Sequence, residues 1–252
     1  MTSREATSFW VQADRDVSPA WLDRLTVCAY GLIQWPWLLR SLYGGRGRDK
    51  RALLARVGLE PEALPNLGSW KADTVFLDQI VSAIERLRPA TIVELGCGAS
   101  TLVAAKALAI NGGGQLISFD QHAGFVRSTG EWLGQYDVQA DVRHAPLGPA
   151  PMGWPGHWYQ LDSLPCQIDL LIIDGPPWAV HPHVRGAAES LFDRLAPGGM
   201  ILLDDAARPG ERVVARRWRR RWPQIAFHLN NRGAKGTLIG IRHTRFLDSY
   251  PT

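Results

Sequence analysis

Cysteine is scarce in this 252-residue chain, and Cys28, Cys97 and Cys166 are odd in number, far apart and without a Cys-x-x-Cys pair. That excludes a disulfide framework and the usual zinc or redox pairings, and predicts a reducing, cytoplasmic setting. Long apolar runs are missing too. The longest uncharged stretch, Leu25 to Leu39, is interrupted by Gln34 and Pro36 and falls short of the roughly 20 residues that cross a bilayer. The first residues contain Glu5 and no early apolar core, which argues against a secretory signal. Glycine and proline (25 and 17 residues) follow no collagen-like period, and there is no internal repeat or low-complexity tract. What remains is 46% hydrophobic and 21% charged, enough for a sizeable core and incompatible with disorder.

Charge is nearly balanced, with 28 Lys and Arg against 24 Asp and Glu. A local excess at Arg212, Arg216, Arg217, Arg219, Arg220 and Arg221 reads as the solvated face of a helix, not a nucleic-acid site, because so small a net charge gives weak steering. The stretch from Ser18 to about Leu64 reads as helical, with Ser18-Pro19 as a starting cap and Gly44-Gly45-Arg46-Gly47 as a break. It is rich in aromatics (Trp21, Tyr30, Trp35, Trp37, Tyr43) and basic residues (Arg40, Arg46, Arg48, Lys50, Arg51). Two readings fit: a peripheral membrane anchor, or packing against the main domain, preferred because indoles carry large buried area in soluble cores. The chain therefore divides into an N-terminal helical extension, residues 1–69, and a main domain, residues 70–252.

After Trp70, β-type runs alternate with helical patterns, which predicts βαβ units and an α/β fold with a doubly wound, mostly parallel sheet. Seven strands are expected: Thr91–Leu95, Gln115–Phe119, Val138–Arg143, Ile168–Ile173, Met200–Leu203, Ile225–Leu229 and Thr237–Ile241. Helices are expected over Asp73–Leu87, Thr101–Ala109, Phe125–Leu133, Val184–Leu195 and Glu211–Arg221. The long segment between Pro146 and Pro165 reads as a functional loop.

The sharpest motif is Glu94-Leu95-Gly96-Cys97-Gly98-Ala99-Ser100-Thr101, between an apolar strand and an alanine-rich helix. Gly96 and Gly98 permit a sharp turn and close approach by a ligand, and the helix N-terminus beyond them offers free N–H groups. Asp120 ends the next strand, where a carboxylate can accept both hydroxyls of a ribose. The third glycine of a dinucleotide-binding turn is replaced by Thr101. Glu94 would repel phosphates but suits a ligand bearing a sulfonium and an ammonium.

In these residues the sequence resembles the class I S-adenosylmethionine-dependent methyltransferases, whose first motif is E/D-x-G-x-G. It is most similar to a bacterial group with E-L-G-x-G-x-S-T followed by H-A-P-L, W-Y-x-L, V-D-G-P-P and L-L-D-D-x-x-R-P-G-E-R. Here these are His144–Leu147, Trp158–Leu161, Ile173–Pro177 and Leu202–Arg212. The resemblance implies a seven-stranded Rossmann-like sheet whose last strand runs antiparallel. It also implies that Glu94, Gly96, Gly98, Ser100 and Thr101 surround the methionine part of S-adenosyl-L-methionine, with Asp120 at the ribose and His144 and Ala145 at the adenine edge; Asp174 borders the same cofactor.

Asp174, Asp204 and Asp205 end the fourth and fifth strands, which face the ligand crevice in such sheets. They could hold Mg²⁺ against two acceptor oxygens, as the similar Asp-Asn-x-x-x-Pro-Gly of catechol-type O-methyltransferases suggests. However, Pro177 stands where those enzymes carry a lysine base, so the reading leans to a metal-independent route with Asp174, Asp204, Asp205 or His181 handling the proton. His183 is a further histidine of that loop, and Trp154, Trp158 and Tyr159 could wall the acceptor. The expected activity is methyl transfer from S-adenosylmethionine to an oxygen of a small-molecule or sugar-containing acceptor. A nicotinamide-dependent oxidoreductase, disfavoured by Thr101, and a non-catalytic binding protein on the same fold are the alternatives. The acceptor's identity and the oligomeric state are not legible in these residues.

Overall fold

In the computed structural model the described residues are 21–64, 67–68 and 72–244. The Ser18-Pro19 cap and the boundary at Trp70 lie outside them. Two helices open the chain, α1 (Trp21–Ser41) and α2 (Gly47–Arg56), separated as expected at the glycine-rich break. Next come α3 (Thr74–Leu87), β1 (Thr91–Leu95), α4 (Ala99–Ile110), β2 (Gln115–Asp120), α5 (Ala123–Gly134) and β3 (Asp141–His144). A small antiparallel hairpin follows, β4 (Leu147–Pro149) with β5 (His157–Tyr159), then β6 (Ile168–Ile173). The chain closes with β7 (Leu195–Leu203), α6 (Pro209–Arg221), β8 (Ile225–Asn230) and β9 (Thr237–Arg242).

The main sheet has seven strands in the order β3-β2-β1-β6-β7-β9-β8, all parallel except β9, which runs antiparallel to both β7 and β8. The order places β1 and β6 side by side at the centre. Strand residues alternate between two cores because successive side chains point to opposite faces. Ile92, Leu170, Ile172, Met200 and Leu202 join α3 and α4 on one side, whereas Val93, Leu171, Ile173, Ile201 and Leu203 join α6 and the Val184–Phe192 segment on the other. The first core also takes in Leu53, Leu54, Leu59 and Leu64. Burial is thus continuous from α2 into α3, so only α1 stands apart from the main core.

The third strand is found at Asp141–His144 in place of Val138–Arg143 and the fifth begins at Leu195 in place of Met200, and two further expectations differ in kind. The segment between Pro146 and Pro165 holds the β4–β5 hairpin, whose Trp158 and Tyr159 are buried in the second core. The expected helix at Val184–Leu195 is a run of 3-10 turns, Val184–Arg194. Its wholly buried Glu189 accepts hydrogen bonds from the indoles of Trp154 (2.7 Å) and Trp222 (2.9 Å) and pairs with Arg221. Trp154 also lies 4.0 Å beneath the Arg217 guanidinium. The arginine-rich face of α6 is thus partly structural, whereas Arg212, Arg216, Arg219 and Arg220 are exposed.

Asp73 links two distant parts of this frame. One carboxylate oxygen accepts the Phe76 N–H (2.8 Å) and caps α3, and the other accepts the Ala234 N–H (3.2 Å) in the β8–β9 connection. Asp73→Ala should lower unfolding free energy by about 1–3 kcal/mol in urea titration, since a cap and a buried acceptor are lost together. Asp78→Ala, which removes an exposed partner of Arg56, should cost less than about 1 kcal/mol in the same measurement.

Candidate active site

The turn after β1 is built around a buried carboxylate. Glu94 is fully buried, and its Oε2 accepts hydrogen bonds from the hydroxyls of Thr101 and Ser118, each at 2.6 Å. Thr101 in turn accepts the Gly98 N–H at 2.8 Å. Thr101, which replaces the third glycine, therefore sits inside the turn with no exposure and fixes its shape from behind; Ser100 is also buried. Glu94 Oε1 is buried without a hydrogen-bond partner, and burial raises the carboxyl above its ordinary range.

The two glycines do different work. At Gly96 (φ +97°) an added Cβ would lie 2.9 Å from the Gly175 nitrogen, so a side chain there would strike protein backbone before any ligand. At Gly98 (φ +150°) an added Cβ would meet nothing within 4 Å, which leaves an open cradle at the start of α4. Asp120 closes the rim: its two oxygens accept the N–H groups of Cys97 (3.2 Å) and His122 (2.8 Å), and burial raises it against those bonds. Ala145 is buried and its N–H donates to the Asp120 carbonyl (2.9 Å), while the exposed His144 places Nε2 3.0 Å from the Gln121 carbonyl. The N–H groups of Asp174 and Gly175 both donate to the Leu95 carbonyl, at 2.8 and 2.7 Å. The cradle and the acidic strand end are consequently one backbone unit.

Beside it, single oxygens of Asp174, Asp204 and Asp205 all lie within 4.8 Å of one another. Three cations meet them. Lys235 Nζ is 3.3 Å from Asp204 and 3.6 Å from Asp205; Arg185 is 3.2 Å from Asp205 and 3.5 Å from Asp174; Arg208 is 2.9 Å from Asp205. Lys235 reaches this place because Ala206 and Ala207 donate to the carbonyls of Gly236 and Lys235 (both 3.0 Å). Asp205 adopts φ +59°, a strained conformation for a residue with a Cβ.

The charges separate the three carboxyls. Burial pushes Asp205 up, but Arg208, Lys235 and Arg185 outweigh it and hold it at about 2. Asp204 is raised by burial, against the pull of Lys235, to about 6. Asp174 is raised well above the carboxylate range, by burial first and then by Asp204. Glu211, also buried, is pushed up to about 7 by burial despite Arg208 and Arg185. Of the three aspartates only Asp174 keeps appreciable contact with solvent, its side chain being 14% exposed against 1% for Asp204 and 4% for Asp205. Its Oδ1 has no hydrogen-bond partner.

His181 lies in the loop after β6 but is buried beneath α1, its Nε2 3.9 Å from Asp23 and its Nδ1 accepting the His183 N–H at 3.1 Å. Burial lowers its pKa, and His183 falls to about 4 through burial and the neighbouring His181. Tyr30 meets the His183 ring edge-on at 5.0 Å, and Gly31 approaches the Trp178 ring. Four residues escaped the sequence reading. Lys235 and Arg185 had no motif of their own, Glu211 stood in the L-L-D-D-x-x-R-P-G-E-R motif without a role, and Gln34, fully buried on the inner face of α1 with both amide atoms without a hydrogen bond, had only its interruption of an apolar run. Tyr159, read as a wall, is also more than that: its buried hydroxyl has no partner and lies against Gly175.

Residues 93–206 match a family model described as a methyltransferase domain. Among solved structures, the S-adenosylhomocysteine-bound methyltransferase of Podospora anserina aligns at a TM-score of 0.54 with 15% identity, covering 91% of this chain and 99% of that one. An O-methyltransferase from Bacillus cereus in complex with S-adenosylhomocysteine gives 0.50 and 14%, covering 86% and 99%. A methyltransferase from Geobacter sulfurreducens gives 0.50 and 15%, covering 77% and 86%. No curated protein matches the sequence. At such low identity these structures speak for the fold, and the domain match speaks for the chemistry. The glycine turn after β1 and Asp120, Asp174, Asp204 and Asp205 all lie within residues 93–206, the part of this chain that is similar to a methyltransferase domain, on a fold shared with solved methyltransferases.

Proposed function

We propose that this protein transfers the methyl group of S-adenosylmethionine to a hydroxyl oxygen of a small-molecule acceptor, with Asp174 taking the proton and no metal required. The observation that carries the reading is Asp174. It is the most exposed member of the acidic cluster, its Oδ1 makes no hydrogen bond and meets only the more distant Arg185 guanidinium at 3.5 Å, and it is bonded through its backbone to the strand that carries the glycine turn. The turn fits the cofactor chemically. The cradle at Gly98 is open, Asp120 stands at its rim for the ribose, and the acidic Glu94 beneath the turn suits a sulfonium and an ammonium better than a pyrophosphate. Thr101, standing where the third glycine of a dinucleotide-binding turn would be, weighs against a nicotinamide dinucleotide, whereas Asp120 suits the ribose of either cofactor.

The divalent-metal alternative does not fit the cluster. Asp174, Asp204 and Asp205 already face Lys235, Arg185 and Arg208, three fixed cations for three carboxylates. A further two positive charges would have to displace or repel them.

When bound, S-adenosylmethionine supplies an electrophilic methyl group on a positively charged sulfur. The chain then has two tasks: to hold the acceptor oxygen in line, and to accept its proton. The raised carboxyl of Asp174 serves the second, because a carboxylate held above its ordinary range by burial is a stronger base toward a hydroxyl than an ordinary one. Arg185 fixes the strand end from behind, bonding the carbonyls of Asp174, Pro176 and Asp204. Glu94, Ser100 and Thr101 act through the shape of the turn. Asp120 is assigned to the ribose, and the Ala145 backbone with His144 to the adenine edge. His181 is assigned to the contact with α1, since its ring nitrogens face Asp23 and the His183 N–H.

Incubation with S-adenosylmethionine and a panel of phenols, sugars and amines should yield S-adenosylhomocysteine with hydroxyl acceptors; release with amines alone would overturn the oxygen assignment. Asp120→Ala should weaken S-adenosylhomocysteine binding by roughly 10–100-fold in calorimetry, and unchanged affinity would remove Asp120 from the ribose. With an active acceptor, turnover should survive a chelator and rise with pH through one ionisation above the ordinary carboxylate range, because the base works only when deprotonated. Asp174→Asn should lower kcat by about 100-fold or more and abolish that ionisation. Activity lost to chelator and restored by Mg²⁺ would overturn the metal-free mechanism.

A further inference from the structure

The outer face of α1, continued by Leu42 and Tyr43 just past its end, carries an apolar surface with no partner among the described residues. Trp21, Leu25, Leu32, Ile33, Trp35, Leu39, Leu42 and Tyr43 are each between 56% and 78% exposed. Only three other large hydrophobic side chains among the described residues are exposed, Ile110, Met152 and Val213, and they are scattered. Eight such side chains gathered along one segment differ from the singly scattered apolar residues of an ordinary surface and mark an interaction site. It is not a gap in the packing: the opposite face of the helix is engaged through Asp23, Tyr30 and Gly31 with His181, His183 and Trp178.

Charge selects the occupant. Residues 21–51 contain six cations (Arg24, Arg40, Arg46, Arg48, Lys50, Arg51) and two acids, Asp23 and Asp49, a net of +4 that equals the net charge of the whole chain. Asp23 is turned inward toward His181, and Asp49 lies 3.6 Å from Arg48. The apolar face is thus bordered by unbalanced positive charge at the α2 end and by Arg24 and Arg40 along its length. Two tryptophans and a tyrosine on a helix flanked by Arg and Lys suit the boundary between headgroups and acyl chains.

A second copy fits poorly. The exposed positions Trp21, Leu25, Cys28, Leu32, Trp35, Leu39 and Leu42 do alternate by four and three, but a two-helix seam needs a narrow stripe flanked by complementary charges. Here the flanks hold Ala29, Ile33, Pro36 and Tyr43, and the only exposed charges on the helix, Arg24 and Arg40, would repel in an antiparallel pair. No described helix is long and apolar enough to span a bilayer, so the contact is with its surface.

We infer that α1, with the basic start of α2, docks this protein onto a membrane surface carrying anionic headgroups, lying in the interfacial plane with its outer face in the lipid. The inference rests on the outer face alone and is independent of the assignments at the sheet edge. The test is co-sedimentation of the full chain with phosphatidylcholine vesicles, with and without about 30% phosphatidylglycerol. The full chain should pellet with the anionic vesicles and bind the neutral ones at least ~10-fold less, with salt weakening the contact. The variant Leu32→Gln/Trp35→Gln/Leu39→Gln should lose at least ~10-fold of the anionic binding while keeping its melting temperature, because all three side chains face outward. Arg46→Glu/Arg51→Glu should erase the preference for anionic lipid. The inference is overturned if the full chain stays in solution, if the triple variant binds as well as the parent, or if sedimentation velocity finds a dimer that the triple variant splits.

Discussion

The meeting of Lys235 with Asp204 and Asp205 is the contact on which the acidic end of the sheet depends. Its ammonium is 1% exposed beside a carboxylate equally buried, and moving such ions out of water costs several kcal/mol each unless each neutralises the other. Neither partner can be removed alone without stranding the other charge. Lys235 comes from the β8–β9 connection and the aspartates from the end of β7, so the ion pair also fastens the antiparallel edge of the sheet to its parallel centre. Its direction is consistent in every partner: Lys235 is held protonated against burial by Asp204 and Asp205, and Asp205 is held ionised by Arg208, Lys235 and Arg185.

That pairing separates the chemistry of three neighbouring carboxyls. Asp205, ringed by cations, is a permanent anion; Asp204, with less of their field, titrates near 6; Asp174, at the margin, is raised further. Burial raises Asp204 and Asp174 first, and the neighbouring like charges add to it. The cations fall mainly on Asp205, whose strained backbone is held by Arg185 and Arg208.

Most of the fold was legible because it rests on periodicity. β1 and β6 match the apolar runs residue for residue, since strands buried on both faces read as near-continuous hydrophobic stretches, broken here at Glu94 and Asp169. The antiparallel last strand followed from the family resemblance and is found. What escaped depends on three-dimensional closure. The β4–β5 hairpin is three residues on each side, with Pro149 in one strand, too short for an alternation to register. The 3-10 run at Val184–Arg194 keeps a helical apolar pattern while following a tighter path. At the sheet edge, Asp174, Asp204 and Asp205 were visible as strand ends, but Lys235, which neutralises two of them, lies thirty residues further on in a segment with no motif. The aromatic extension shows the opposite limit. Tyr30 packs inward as expected, whereas Trp21, Trp35 and Tyr43 face outward, because composition cannot say which side of a helix meets the domain.

The contact between Gly96 and Gly175 carries one more consequence. With the two backbones close enough that a single methyl group would collide, the floor beneath both reactants is effectively rigid and cannot be re-cut by side-chain exchange. Diversification of acceptor preference must therefore fall on parts that are not locked into this floor, such as the loop beyond Pro177, and not on Tyr159, whose hydroxyl lies against Gly175. In such an arrangement the distance between donor and acceptor is inherited from the frame, while the choice of molecule remains free to drift.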